Sequence, residues 1–558
     1  MFIPTTANEL NQLNWNSLDI ILVSGDTYID TYYDGIVLIG KLLIKQGYRV
    51  GIIAQPDINS EKDILRLGEP ELFWGISAGC VDSMVANYTA LLKKRRTDDL
   101  TPGEQNIRRP DRATLIYTNL IQRFSKAKKP IILGGIEASM RRIAHYDYWS
   151  DRIRRSVLLD SKADILVYGM GEKAISELAF KIKNQINWKD TKGICYLSNE
   201  KPDDFIELPS YEDVLKDKDS FIEMFNTFYK SNKLQEENGM YQQHANRFLV
   251  HNPPQSPPCQ TELDSNYELD FERDAHPFYK EQGKIKALDT IRFSVTSHRG
   301  CFGECNFCSI AIHQGNKILS RSKESILKEV KRISKLKTFK GNISDIGGPS
   351  ANMYGMGCKS ERENFKCSKN CISPNICKNL NNNHIELIEL LKELRKIPGI
   401  KNIFVGSGIR FELVLADRQN GEKYLKDIIE HHVSGQMKIA PEHISKRVLK
   451  AMGKEAVHSV LDFKNKFYQI NKSIGKKQFL TYYFIAAHPD CYEKDMNELK
   501  SFIKNDLKIN PEQVQVFTPT PSTYSTLMYY TEKSPITKEK IFVEKSLKKK
   551  REQKERIL

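Results

Sequence analysis

The chain has 558 residues, 40% of them hydrophobic and 28% charged, and a formal net charge of +15. This composition is typical of a globular protein of two or three domains, and no run approaches the roughly 20 consecutive apolar residues of a membrane span. The first residues lack the features of a secretory signal, so we expect a cytoplasmic protein that has no association with membranes.

The first 200 residues predict an N-terminal α/β domain. Five short apolar runs, each followed by a segment of helical length, are typical of parallel strands buried on both faces. We therefore expect a doubly wound sheet whose ligands would bind beyond the carboxyl ends of the strands, where Gly135 and Glu137 would lie. The glycines at these positions fit tight turns equally well. The apolar runs are at 18–25, 48–56, 72–77, 130–139 and 163–172.

The remaining chain predicts a second α/β domain after a linker. Residues 201–288 are polar, with four prolines between 251 and 260, and indicate a linker region with some helix. Residues 289–530 contain six further strand candidates, each followed by a helix or an insertion, which favour a partial (βα)6 barrel. A cysteine-rich insertion occupies 349–380. Residues 531–558 indicate a basic C-terminal tail, with nine Lys or Arg against four Glu between 538 and 556.

Three closely spaced cysteines follow the first predicted barrel strand. Cys301, Cys305 and Cys308 have a C-x3-C-x2-C spacing, and three thiolates this close bind three irons of a 4Fe-4S cubane. The fourth iron would then be open to the amino and carboxylate groups of S-adenosylmethionine (SAM), whose reductive cleavage gives a 5'-deoxyadenosyl radical. A zinc site completed by His298 or His313 is the alternative.

Several motifs point to one family. The chain resembles the YgiQ family of radical SAM proteins through GGIEASMRR at 134–142, SHRGCFGECNFCSIAIHQG at 297–315 and DIGGPSANMYGMGC at 345–358. The resemblance extends over nearly the whole chain. It implies the partial barrel, the 4Fe-4S cluster on the triad, SAM as cofactor, a cellular one-electron reductant of the flavodoxin or ferredoxin type, and a substrate that the motifs do not identify.

The resemblance also implies contacts to SAM. Gly347 and Gly348 follow the second barrel strand, where backbone groups of related proteins meet the amino group of the cofactor. Pro349 replaces the usual acidic residue there, so no side-chain contact is expected at that position. The other candidate contacts are Phe307 beside the adenine, Ser407 and Arg410 toward the ribose or carboxylate, and Glu442 as a polar contact, although ordinary loop roles also fit the last three.

A second group of four cysteines lies in the polar insertion. Thiolates clustered in such a segment are good ligands for soft metals and poor material for a core. An auxiliary 4Fe-4S cluster and a zinc ion both fit four thiolates, and the spacing does not decide between them. The four cysteines are Cys358, Cys367, Cys371 and Cys377.

The front domain is similar in layout to the cobalamin-binding domains that precede many radical SAM barrels. A corrinoid site that supplies a histidine ligand would have Asp-x-His after the first strand. The chain has Asp26-Thr27-Tyr28 there, with no histidine, which argues against cobalamin.

These features predict a radical SAM iron–sulfur enzyme that cleaves SAM reductively. An RNA-modifying enzyme of the methylthiotransferase type is the alternative within this class, favoured by the basic charge and the extra cysteines. A non-catalytic, zinc-dependent nucleic-acid-binding protein is the alternative from another class, although it leaves Gly347, Gly348 and the barrel pattern unexplained.

Overall fold

A computed structural model describes residues 1–234, 237–360, 367–454 and 458–558. The chain divides into two compact units. The front unit comprises residues 1–257, 265–292 and 520–522, and the barrel unit comprises 258–264, 293–519 and 523–558. Within the described ranges, no helix is both long enough and apolar enough to cross a membrane.

The regular elements are numbered in chain order over the described residues. The strands β1 to β22 are Leu18–Ser24, Val50–Ala54, Pro70–Ser77, Ile131–Gly134, His145–Asp147, Arg152–Arg154, Ile165–Val167, Ile194–Ser198, Ile206–Leu208, Met240–His244, Arg247–His251, Ser294–Thr296, His298–Arg299, Leu319–Ser320, Asn342–Ile343, Asp345–Gly347, Gly357–Cys358, Leu380–Asn381, Asn402–Ile403, Gln436–Glu442, Phe479–Ala486 and Gln513–Val516. The α-helices α1 to α23 are Ala7–Gln12, Gly35–Lys45, Glu61–Ile64, Ser83–Asn87, Ala113–Phe124, Gly135–Met140, Val157–Ser161, Glu172–Lys183, Tyr211–Lys216, Lys218–Leu234, Gln260–Tyr267, Pro277–Lys280, Ala287–Ile291, Ile310–Gln314, Lys323–Ile333, Ile385–Arg395, Phe411–Ala416, Gly421–His431, Lys446–Met452, His458–Ser473, Glu493–Phe502, Tyr524–Thr531 and Leu547–Glu555, and a π-helix spans Ile503–Leu507.

The front unit is built on one nine-stranded sheet in the order β2-β1-β3-β4-β7-β8-β11-β10-β9. The strands β2, β1, β3, β4 and β7 are parallel, and they are the five predicted from the apolar runs. Apolar side chains of these strands pack with those of α2 and α8 into one buried core. This arrangement confirms the doubly wound α/β fold, and its topological switch point lies between β1 and β3.

Residues 201–288, predicted as a linker with some helix, add strands to this sheet instead. β10 and β11 form an antiparallel hairpin between Met240 and His251, and β9 pairs in parallel with β10. β11 also pairs with β8, so the hairpin continues the sheet without a break. The sequence analysis missed these strands because β10 contains two glutamines and a histidine and β11 has only three consecutive apolar residues, so neither strand is a clear apolar run. The proline-rich stretch after His251 has no strand or helix until α11 begins at Gln260.

The barrel unit has all six predicted strands, in β12, β16, β19, β20, β21 and β22. The strands β12 and β16 pair in parallel, as do β20, β21 and β22 in succession. β19 pairs in parallel with β15, and a parallel bridge joins Ile409 to Ile439 of β20. Between the strands lie helices with one apolar face, such as α15, which Ser322 caps at Ser325 N. The strands therefore form the predicted parallel partial barrel.

The C-terminal segment carries a helix packed on the barrel. α23 contacts β21 and β22, and Gln553 accepts a hydrogen bond from Ala487 N at 3.0 Å. Lys550 is buried with its ammonium 2.8 Å from the hydroxyl of Tyr529. The predicted basic tail therefore has one face in contact with the barrel. The RNA-modifying alternative, which relied in part on this segment, stays a prediction.

Candidate metal centre and cofactor site

The three cysteines of the triad lie on the loop that leaves the first barrel strand. Gly300 precedes them with a φ of +84°, and a side chain there would lie 1.8 Å from the carbonyl oxygen of Lys317, so only glycine fits. Cys301, Cys305 and Cys308 are partly exposed, and Cys308 N donates to Cys305 O at 2.9 Å. The loop thus presents all three thiols from one short segment.

Asn306 fixes this loop to the rest of the barrel unit. Its backbone N–H donates to Met452 O at 2.9 Å, and its side-chain amide donates to Ala451 O at 2.9 Å. Its own carbonyl accepts from Ser525 N at 2.9 Å. Three hydrogen bonds from one residue anchor the middle of the triad to the end of α19 and the start of α22.

Two hydrogen-bond donors are directed at the triad sulfurs. Gly303 N donates to Cys301 Sγ at 3.4 Å, and the guanidinium of Arg410 donates to Cys305 Sγ, also at 3.4 Å. Burial raises the pKa of Cys308 to about 12, and the neighbouring Cys305 adds to this effect. Donors on the sulfurs stabilise negative charge there, as ligands of an iron–sulfur cluster require.

Arg410 is held in place by an acidic partner. Its Nη2 lies 2.7 Å from Glu412 Oε1, and both side chains are buried. Burial disfavours the charged guanidinium, but Glu412 and Cys305 outweigh that effect, so the pKa of Arg410 is raised. Arg410 therefore carries a permanent positive charge next to the triad.

A buried polar chain positions the backbone of Arg410. Asn352 Oδ1 accepts from Arg410 N at 2.8 Å, and Asn352 Nδ2 donates to Arg410 O at 3.1 Å. Asn352 in turn lies 3.1 Å from His384 Nε2, and His384 Nδ1 lies 2.9 Å from Asp417. The sequence analysis did not identify these three residues as part of the site. Asn352 belongs to the motif at 345–358, which is the one signal that could have suggested it.

The glycine pair after the second strand lies in a tight cradle. A side chain on Gly348 would meet the ring of His298 at 2.6 Å, and one on Gly347 would lie 3.2 Å from Ser407 Oγ. Ser407 and Gly406 donate to Asp345, a half-buried carboxylate that the sequence analysis overlooked. Burial raises the pKa of Asp345 despite these hydrogen bonds. Ser407 is thus oriented by Asp345, next to the glycine pair.

Phe307 and Glu442 occupy different surroundings. The ring of Phe307 packs edge-on against His488, with centroids 6.3 Å apart. Glu442 ends β20 with a φ of +65°, and its buried carboxylate lies 3.4 Å from the ammonium of Lys454. Burial raises the pKa of Glu442, and Lys454 opposes that shift.

The second cysteine group adjoins the first. Cys377 N donates to Cys371 O at 2.9 Å, and Cys358 pairs with Leu380 across β17 and β18. Cys371 and Cys377 pack on an apolar cluster against which Cys301 of the triad also packs. Cys367 is exposed, and residues 361–366 before it lie outside the described residues. The apolar cluster on which these cysteines pack consists of Phe302, Met353, Met356, Ile372, Leu380 and Leu413.

The triad has three thiols on one loop and two hydrogen-bond donors directed at its sulfurs, whereas the second group is known only by the position of its cysteines. In the part of the chain that the structure describes, no three His, Cys, Asp or Glu side chains converge closely enough to hold a metal ion. The ligand assignments therefore stay predictions, which rest on the loop, its anchors and the donors to its sulfurs.

The carboxyl edge of the front sheet is filled by its own side chains. Arg109 is fully buried after β3, where it contacts Asp26, lies 3.0 Å from Asp98 and donates to Ala78 O at 3.0 Å. Tyr28, at the position where a corrinoid histidine would stand, is buried and donates to Asp30 at 2.8 Å. The topological switch point is thus occupied by an internal ion-pair network.

A parallel partial barrel that carries three cysteines on the loop after its first strand is the arrangement of radical SAM proteins. Comparison with known proteins agrees. The family model described as radical SAM N-terminal matches residues 2–294, and a domain of unknown function, DUF3362, matches residues 512–558.

Curated relatives define the family more narrowly. A UPF0313 protein of Fusobacterium nucleatum is 55% identical over 556 residues, which cover 99% of this chain and 98% of the relative. A UPF0313 protein of Thermotoga maritima is 48% identical over 561 residues, which cover 100% of this chain and 98% of the relative. The chain belongs to the UPF0313 family of radical SAM proteins, which confirms the resemblance drawn from its motifs.

Two solved structures share the fold. The radical SAM methyltransferase TsrM from Kitasatospora setae, with cobalamin and a [4Fe-4S] cluster bound, has a TM-score of 0.52 at 13% identity and covers 91% of this chain and 74% of its own. The cobalamin-dependent SAM radical enzyme OxsB, with aqua-cobalamin and SAM bound, has a TM-score of 0.50 at 12% identity, and the match covers 97% of this chain and 56% of the OxsB chain. At these identities the likeness shows the fold alone.

Proposed function

We propose that this protein is an enzyme that binds a 4Fe-4S cluster on Cys301, Cys305 and Cys308 and cleaves SAM reductively. The observation that supports this proposal most directly is the hydrogen bond from the guanidinium of Arg410 to Cys305 Sγ, because Arg410 lies on a different part of the barrel unit from the triad loop. When bound, the cluster supplies the electron for the cleavage of SAM.

The chain's own residues would orient the cofactor. Gly347 and Gly348 leave a backbone surface without side chains, and Ser407 stands beside it with its hydroxyl directed by Asp345. Arg410 provides a positive charge for the cluster sulfurs or for the SAM carboxylate. Glu442, with its raised pKa, provides a second polar group at the end of β20.

Anaerobic reconstitution with iron and sulfide tests this proposal. We expect about four irons on the triad and formation of 5'-deoxyadenosine from SAM when flavodoxin or dithionite supplies electrons. The variant Cys301→Ala should lose the triad iron and the product, whereas Cys259→Ala, which removes an exposed cysteine outside both groups, should retain them. Zinc in place of iron, or equal effects of the two variants, would refute the proposal.

We also propose that the second cysteine group binds an auxiliary 4Fe-4S cluster. The support is its position, since Cys371 and Cys377 pack on the same apolar cluster as Cys301. Iron content distinguishes this cluster from zinc: the wild type should hold about eight irons, and Cys371→Ala about four. Zinc bound at this group alongside four irons would contradict the auxiliary cluster while leaving the triad proposal intact.

The front unit, in this proposal, acts without a corrinoid. Arg109, Asp26 and Asp98 fill the strand-end crevice in which doubly wound sheets bind their ligands. TsrM and OxsB, which share the fold, have cobalamin bound. Incubation with hydroxocobalamin followed by gel filtration therefore gives a direct test, and cobalamin absorbance that comigrates with the protein would refute this part.

A further inference from the structure

The loop between α4 and α5 of the front unit carries four consecutive cations that the proposed function does not use. Lys93, Lys94, Arg95 and Arg96 are all exposed. None of the four side chains forms an ion pair or a hydrogen bond with another residue in the part of the chain that the structure describes. This cationic run therefore presents its charge to the solvent without a carboxylate to neutralise it.

Backbone contacts hold the first half of the cationic run. Arg95 N donates a hydrogen bond to Asn87 O at 2.7 Å, and Lys94 pairs with Tyr88 in an antiparallel bridge. The run therefore lies on one arm of a short hairpin, and the other arm continues directly from the end of α4.

Asn106 fixes the second half of the run. Its backbone N–H donates to Arg96 O at 3.1 Å, and its side-chain amide donates to Arg95 O, also at 3.1 Å. Asn106 itself is buried. A backbone fixed in this way keeps four like charges together, which costs free energy because the charges repel one another. A partner with complementary negative charge would remove that cost.

The cationic run is suited to bind phosphate groups. Guanidinium groups donate two parallel hydrogen bonds to a phosphate, and ammonium groups bind it as point charges. A nucleic acid strand carries one phosphate charge per roughly 3.4 Å of its axis. The run carries one cation per residue, and consecutive residues of extended backbone rise roughly 3.3 Å. The spacing of charge along the run is therefore comparable to that along a nucleic acid strand.

Two exposed apolar side chains flank the run. Leu92 directly precedes it and is 39% exposed, and Ile107 follows Asn106 and is 76% exposed. Apolar side chains such as these contact bases in complexes that otherwise depend on phosphate contacts. Proteins that lie on a membrane surface usually bury the apolar face of an amphipathic helix instead, and these two side chains lie on loops. The surroundings of the run therefore favour a nucleic acid over an anionic lipid surface.

We propose that the loop of residues 88–97 is a docking surface for the phosphodiester backbone of a nucleic acid. The four cations would contact neighbouring phosphates, and the two apolar side chains would contact bases. The net charge of +15 adds a long-range attraction for such a partner. This binding does not depend on the cluster or on the cleavage of SAM, so it can be measured without turnover.

Fluorescence anisotropy with the full-length, reconstituted protein and a labelled single-stranded RNA of about 20 nucleotides tests this surface. Each phosphate contact on a single strand contributes about 0.7 to the slope of log K against log salt. Replacement of all four cations by Gln should therefore reduce the slope by about 3 and weaken binding about hundredfold or more at about 0.1 M salt. The substitutions are Lys93→Gln, Lys94→Gln, Arg95→Gln and Arg96→Gln.

The matched control removes the same amount of charge from exposed lysines on α15 and the loop after it. It should change the slope by less than about 1, because only the local charge of the docking surface contacts the strand. All substituted positions of the two variants are exposed, so both should fold as the wild type does, which far-UV circular dichroism checks. The control substitutions are Lys331→Gln, Lys335→Gln, Lys337→Gln and Lys340→Gln.

DNA of the same sequence distinguishes the two sources of a phosphodiester backbone. Equal affinities support recognition of phosphates alone, and a preference for RNA that the variant of the cationic run loses supports additional contacts to RNA. Absence of binding to both nucleic acids, or equal losses in the two variants, would overturn the surface. Binding to phosphatidylserine vesicles without binding to nucleic acid would assign the loop to membranes and would also overturn the proposal.

Discussion

Replacement of Arg410 by methionine separates the stability of the barrel unit from the properties of the cluster. The change removes the partner of Glu412, which is 4% exposed and lies 2.7 Å from Arg410 Nη2. An unpaired charge left in the interior costs roughly 3–5 kcal/mol. We therefore expect Arg410→Met to lower the free energy of unfolding by about that amount.

The double variant Arg410→Met/Glu412→Leu removes both charges. Replacement of a buried ion pair by apolar side chains of similar volume is often neutral, so we expect its free energy of unfolding to return to within about 1 kcal/mol of wild type. Anaerobic urea denaturation followed by far-UV circular dichroism measures both variants. If the double variant remains as unstable as Arg410→Met, the pairing with Glu412 is not the reason for the loss.

The cluster should respond differently from the fold. Both variants lack the guanidinium that donates to Cys305 Sγ at 3.4 Å. A positive hydrogen-bond donor stabilises the more negative, reduced form of an iron–sulfur cluster, so both variants should show a lower midpoint potential in spectroelectrochemical titration. Recovery of the wild-type potential in the double variant would refute the role assigned to Arg410.

Three further changes test other parts of the structure. Burial lowers the pKa of His443 from 6.5 to about 4 and outweighs the opposite effect of the nearby Asp495. The unfolded chain takes up this proton first as the pH falls, so stability is lost between pH 6.5 and 4, and His443→Asn should reduce that loss by about 1.4 kcal/mol per pH unit in urea denaturation at each pH. Glu137 accepts hydrogen bonds from Ser83 on one carboxylate oxygen and from Thr114 on the other, so Glu137→Gln turns an amide N–H toward one of these two residues and should cost about 3 kcal/mol of the free energy of unfolding. The control Glu177→Gln, at a carboxylate that pairs with Lys181 near the surface, should cost less than about 1 kcal/mol, and tryptophan fluorescence follows the unfolding of both variants. Gly348→Ala would place a methyl group 2.6 Å from His298 and should cut 5'-deoxyadenosine formation about tenfold or more while iron is retained, with Gly357→Ala, which has open space around it, as control.

Much of the fold could be predicted because its signals are local. The five front strands and the six barrel strands are apolar runs whose periodicity depends on neighbouring residues. The strands in the segment 201–288 could not be predicted in this way, because β10 and β11 become recognisable only through their pairing with β8 and β9. These partner strands come 34 or more residues earlier in the chain, so the pairing leaves no local signal in the sequence of β10 or β11.

The candidate site also has some residues that local sequence predicts and others that only the fold brings together. Its sequence determines the cysteine triad and the glycine pair, because ligand spacing on one loop and the absence of a side chain are local properties. Tertiary structure alone brings Arg410 to Cys305, 105 residues away, and links Asn352, His384 and Asp417 behind it. It also fills the front crevice with Arg109. Such contacts depend on how strands and helices pack, and the positions of the contacting side chains follow from burial and charge pairing across the fold.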